Sequence, residues 1–219
     1  MAVTRAKYDK LIGYRARSIS AIVNEIAQCG SKERGQSLDL AKNAMKSKTV
    51  LNNPELRISV VKLLIALLPE TEHMLVSMLQ RRLHLVDFEL HFSFFCFIDE
   101  VQFLELDDAV VERILRAIQD YLIEIKVTTA SAAWMAGDLL GDHWEHSSSL
   151  PILYCVVDNA KYFAGKDAAL YGLYKAYNKT QSKEILDRIK DIAENAKGKK
   201  LRFSANILLA KMNDQMKLK

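Results

Sequence analysis

Pro54-Glu55-Leu56-Arg57-Ile58-Ser59-Val60-Val61-Lys62-Leu63-Leu64 opens on a proline and then places apolar side chains at Leu56, Val60, Leu63, Leu64 and, three residues on, Leu67. Steps of three and four put these residues on one face of an α-helix, and nothing in the stretch alternates with the period of two that a strand needs. The preceding Asn52-Asn53 can accept hydrogen bonds from the first free amides of that helix. Proline at the first helical position has no amide to lose. The same spacing returns at Val110, Ile114, Leu115, Ile118, Leu122 and Ile125. With only 8 Gly and 3 Pro in 219 residues, turn and bulge devices are scarce, so the chain reads as all-α.

Short polar or Gly/Pro breaks then divide the rest into helices. They fall at Asn52-Asn53-Pro54, Leu68-Pro69, Leu106-Asp107-Asp108, Thr128-Thr129, Ser147-Ser148-Ser149, Ala164-Gly165-Lys166, Lys179-Thr180 and Lys197-Gly198-Lys199. The expected helices are 4–29, 33–47, 54–67, 70–83, 87–103, 107–125, 129–143, 148–160, 166–178, 181–196 and 199–216. Those ten or eleven elements fit a single domain over 1–219, with 1–50 as an N-terminal helical cap.

A weak repeat runs through the remainder. The 54–64 segment answers to Gly165-Lys166-Asp167-Ala168-Ala169-Leu170-Tyr171-Gly172-Leu173 and again to Gly198-Lys199-Lys200-Leu201-Arg202-Phe203-Ser204-Ala205-Asn206-Ile207-Leu208-Leu209. Starts near 54, 87, 128, 165 and 198 leave 33 to 41 residues per unit, room for two helices and two turns. With its Pro-x-x-Arg opening followed by small and aliphatic residues, the stretch from Asn53 to Leu68 resembles the first helix of a HEAT repeat, and the likeness extends over 53–215. That resemblance implies antiparallel helix pairs stacked as a curved solenoid whose surface binds a partner. It implies no activity.

Half the residues are apolar, enough for a sizeable core. Cys29, Cys96 and Cys155 are odd in number and far apart, two of them inside apolar runs, which suits buried free thiols in a reducing compartment. No apolar run approaches the roughly 20 residues that span a bilayer, and the N-terminus has no signal-like core, so a cytoplasmic protein without a membrane partner is expected. Charge is uneven: residues 1–50 balance at +6, 51–160 at −10 and 161–219 at +8. In a linear stack this becomes a spatial pattern, acidic between basic ends.

Several clusters could carry function. Trp134, Asp138 and Asp142 follow at steps of four, aligning an indole and two carboxylates on one helical face, a cradle for a cation. The arrangement is similar to the Trp-and-Asp pair of HEAT-like alkylpurine DNA glycosylases, which implies stacking by Trp134 and charge stabilisation by Asp138. The plainer expectation is Trp134 in the core and Asp138 as a solvated or capping carboxylate. His143 and His146, with Asp142 and Glu145, have i, i+3 spacing, but no further metal ligand is identified and a frayed helix end explains the same residues. The run Phe88 to Ile98 carries five phenylalanines pointing all round a helix and is expected to be core, with His91 a hydrogen-bonded core residue and Cys96 unreactive. Tyr171, Tyr174 and Tyr177 form a stripe beside Lys166, Lys175 and Lys179, suited to half-buried packing or to a partner.

No Gly-rich phosphate loop, serine elbow, paired-cysteine box or His-Glu-x-x-His occurs, and no cofactor or metal is expected. The expected function is a non-catalytic scaffold that binds a basic protein segment through the second helices of the pairs, where Glu112, Asp120 and Glu124 make an acidic sector, joined by Trp134, Asp138, Tyr171 and Tyr174 as contact residues. The alternative is a DNA-binding protein or alkylpurine glycosylase using Trp134 and Asp138.

Overall fold

A computed structural model describes residues 17, 19–51, 53–80, 94, 95, 98, 106–125 and 131–217. Among these residues there are eleven helices and no strand. They are α1 (Ile19–Gln28), α2 (Ser31–Lys46), α3 (Lys48–Leu51), α4 (Pro54–Ala66), α5 (Glu72–Gln80), α6 (Asp108–Glu124), α7 (Ser131–Asp142), α8 (Ser149–Asn159), α9 (Phe163–Thr180), α10 (Lys183–Asn195) and α11 (Lys199–Lys217). The protein is all-α, and the helices of the C-terminal half begin and end within a few residues of the expected positions. The segment after α2 was expected as loop and instead forms the single turn α3, tied back by the Ser47 amide to the Ala44 carbonyl at 3.0 Å. Most of the expected helix 87–103 and most of 4–18 lie outside the described residues. No helix among those described is long and apolar enough to cross a membrane.

The chain divides into two compact units, residues 1–114 and 115–219, with the boundary inside α6. In the first, α4 is the central element and touches α1, α2, α3 and α5. Its start is capped as the sequence suggests: Asn53 Oδ1 accepts from the amides of Glu55 and Leu56 at 3.0 and 3.2 Å, with Pro54 as the first helical residue. Every residue from Ser59 to Leu67 is buried, so the helix is enclosed on all sides rather than on one stripe. Its polar members find partners inside: Ser59 Oγ donates to the Glu55 carbonyl and the Lys62 ammonium to the Arg17 carbonyl at 2.9 Å. Phe94, Phe95 and Ile98, the described part of the phenylalanine-rich segment, are all buried, the two rings edge to face at 5.3 Å. His91 and Cys96 lie outside the described residues.

In the second unit the central helix is α9, in contact with α7, α8, α10 and α11. Short connections join α9 to α10 and α10 to α11, and contacting helices joined so tightly must turn back on each other. α9 and α11 therefore run in the same direction. α9 ends on Gln181 in the left-handed region, φ 53°, whose amide donates to the Tyr177 carbonyl at 2.7 Å and closes the last turn. Cys29 and Cys155 are free but only part-buried, a correction to the expectation of enclosed thiols; side-chain amides of Gln119 and Asn159 reach the Cys155 sulfur at 3.1 and 3.5 Å.

Candidate interaction surface

α7 and α9 approach through residues that have little or no side chain. A Cβ added to Gly137 would collide with the Ala168 carbonyl, one on Gly141 with the Gly172 carbonyl, and one on Gly172 would sit 2.5 Å from the Gly137 oxygen. The contact steps from Gly137–Ala168 to Gly141–Gly172, advancing four residues on both helices, so α7 and α9 are parallel. Backbone lies against backbone here, and only hydrogen fits.

This close approach zips together two rows of residues spaced by four. On α7 stand Trp134, Asp138 and Asp142; on α9, Asp167, Tyr171, Lys175 and Lys179. The Trp134 indole N–H donates to Asp167 Oδ2 at 3.0 Å, and its ring stacks on Tyr171 with centroids 6.0 Å apart and planes 23° from parallel. Lys175 lies 2.9 Å from Asp138 and 3.5 Å from Asp142, and Lys179 lies 2.8 Å from Asp142 while also donating to its backbone carbonyl at 3.0 Å. Burial works against ionising Asp142, but the hydrogen bond from Lys179 and the charges of both lysines outweigh it and hold the carboxyl below its ordinary value. Burial likewise opposes the Lys175 charge, and Asp138, aided by Asp142, raises its pKa nonetheless.

The four-residue spacing thus places the indole and both carboxylates on one face, but the surroundings differ from the plainer expectation. Trp134 is not core: it is 46% exposed, because Gly137 and Gly141 take the positions against α9 and leave the indole at the edge. Asp138 is ion-paired rather than simply solvated. The tyrosine stripe separates: Tyr174 and Tyr177 are buried, while Tyr171 is part-exposed beneath Trp134. Steps of three walk about 60° round a helix each time, so three such residues cannot share one environment.

The remaining expected site residues sit on α6. Glu112 is part-exposed in the first unit, and Asp120 is exposed in the second. Glu124 pairs with Lys161 at 2.6 Å, and the Lys161 amide donates to the Ile123 carbonyl, tying the start of α9 to the end of α6. His146 Nδ1 accepts from the Ser148 amide at 3.2 Å in the turn after α7, and no group of three metal-ligand side chains occurs among the described residues. Asp167, Lys175 and Lys179 complete the ladder and were not singled out with Trp134 from the sequence; their four-residue register with Tyr171 was the available signal.

Comparison with protein-family models, with curated proteins and with solved structures finds no match. Fold and surface together define an all-α protein of packed helix pairs that presents a fixed aromatic at its surface.

Proposed function

We propose that the chain is an interaction protein without catalysis of its own, its helix pairs stacked as a short HEAT-like solenoid, and that Trp134 anchors a protein partner. The stacking finds support in the second unit, where α7 and α9 lie side by side with α8 against both, and α9 and α11 repeat the pattern with α10. The observation that carries the partner reading is the state of Trp134. An indole 46% exposed, with its N–H bonded to Asp167 and its ring stacked on Tyr171, is ordered before any partner arrives. Binding then costs little side-chain entropy, the property of an interface anchor.

The chemistry beside the indole favours a basic partner. An arginine or lysine over the exposed ring face gains cation–π attraction, and the Asp167 carboxylate adjoins it. Asp120 adds exposed negative charge on α6. The nucleic-acid alternative, with Trp134 stacking on a base and Asp138 steadying a positive charge, requires the Lys175 ammonium to leave Asp138 first. Salt-dependent retention on heparin or DNA separates the two. The interaction reading expects elution at low salt; steeply salt-dependent retention, with release of alkylated purines from DNA that Asp138→Asn abolishes, would overturn it.

A further inference from the structure

α11 is apolar on two opposite sides. Leu201, Ala205, Leu208 and Met212 are buried and form the side packed within the unit. Turned away from them by the helical period are Phe203, Ile207 and Ala210, all exposed, with Phe203 at 68% and Ile207 at 41%. A helix face in contact with water is ordinarily polar. Here the outer face carries an apolar stripe of about two turns, close to 11 Å long.

The charges around the stripe say what kind of cover fits. Lys197, Lys199 and Lys200 are exposed at its upper end and Lys211 at its lower end, while Asp214 lies one turn beyond. The first turn of α11 holds no acidic residue, so two lysines stand at the positive end of the helix dipole, an arrangement that disfavours the isolated helix. A second copy would set Lys199 and Lys200 against themselves if parallel and against Lys211 if antiparallel, with Asp214 the one carboxylate of the helix to offset them. We infer that the outer face of α11 docks an acidic amphipathic helix of a partner protein, its apolar residues on Phe203, Ile207 and Ala210 and its carboxylates toward Lys199, Lys200 and Lys211. This surface uses residues distinct from Trp134 and its neighbours and stands independently of them.

The test uses the full chain and a fluorescein-labelled amphipathic peptide of about five turns, with leucines along one face and glutamates flanking them, beside a counterpart whose glutamates are lysines. Fluorescence anisotropy should show the acidic peptide binding and the basic one failing to bind. Phe203→Ser/Ile207→Ser should weaken the acidic peptide at least about tenfold, as loss of a central anchor does, and Lys200→Glu/Lys211→Glu, which leaves the apolar stripe intact, should weaken it severalfold. Trp134→Ala should leave it unchanged, so failure here is separate from failure of the Trp134 reading. Three results would overturn the inference: equal binding of both peptides, an acidic-peptide affinity indifferent to both double variants, or displacement of the peptide by a single-stranded oligonucleotide. A concentration-dependent dimer of the parent, lost in Phe203→Ser/Ile207→Ser, would assign the face to a second copy instead.

Discussion

Helix α4 and helix α9 each stand at the centre of their own unit, and they are enclosed by opposite means. α4 fills its surroundings with bulk: Val60, Val61, Leu63, Leu64 and Ile65 are all buried, and neighbouring helices are held off by their side chains. α9 meets α7 with Ala168 and Gly172, and its larger residues are pushed to the flanks, where Tyr171 supports Trp134 and Lys175 and Lys179 hold Asp138 and Asp142. A core filled by side chains can be emptied but leaves nothing specific at its rim. A seam closed by glycine sets the register of the residues beside it, and so can hold a surface feature in a fixed geometry. The contrast also says that the two helices should fail under opposite substitutions.

The largest effect is expected from emptying the first core. Leu64→Ala, and equally Phe95→Ala, should lower unfolding free energy by about 3–5 kcal/mol through lost burial and a residual cavity, read from urea titration. On α9 the sensitive direction is reversed. Gly172→Ala or Gly137→Ala, harmless in most helices, should cost about 2–3 kcal/mol, because the added methyl meets backbone that cannot move aside. An Ala-tolerant Gly172 would show that the two helices are not packed backbone to backbone.

Smaller effects test the ladder beside the seam. Asp142→Asn should cost about 1 kcal/mol, as for a part-exposed pair. The pH dependence follows from the two shifts. The lowered Asp142 carboxyl contributes stability that is present above its unfolded value and lost as pH falls through the lower folded one. The raised Lys175 contributes below its unfolded value, and that contribution is lost as pH climbs through the higher folded one. Melting temperature should therefore decline at both extremes, and Asp142→Asn should flatten the acid limb. The smallest change expected is a gain: Gln181→Gly, relieving a left-handed non-glycine residue, should add about 0.5 kcal/mol.

The difference between the helices also marks what could be read from the sequence. α4 was legible because its information is local: the Asn53–Pro54 start and the three-four spacing of Leu56, Val60, Leu63 and Leu64 lie within one segment. The face shared by Trp134, Asp138 and Asp142 was legible for the same reason. What surrounds that face was not. Whether Trp134 is buried depends on α9, whose Asp167 stands 33 residues away in the chain, and on glycines whose spacing, Gly137 to Gly141, has meaning only once the partner helix is known to come close. The apolar outer stripe of α11 was visible as letters but merged with the inner one, since both recur at helical spacing and only burial separates Phe203 from Leu208.

Trp134 acts at an interface while the α7–α9 seam holds it in place: that is the central proposal. The direct measurement is quantitative affinity capture from the native source with the immobilised full chain, parent against Trp134→Ala, after both show the same thermal midpoint. The expected result is a captured protein whose affinity falls at least about tenfold in the variant. Undiminished capture by Trp134→Ala, or a variant that no longer folds, would contradict it.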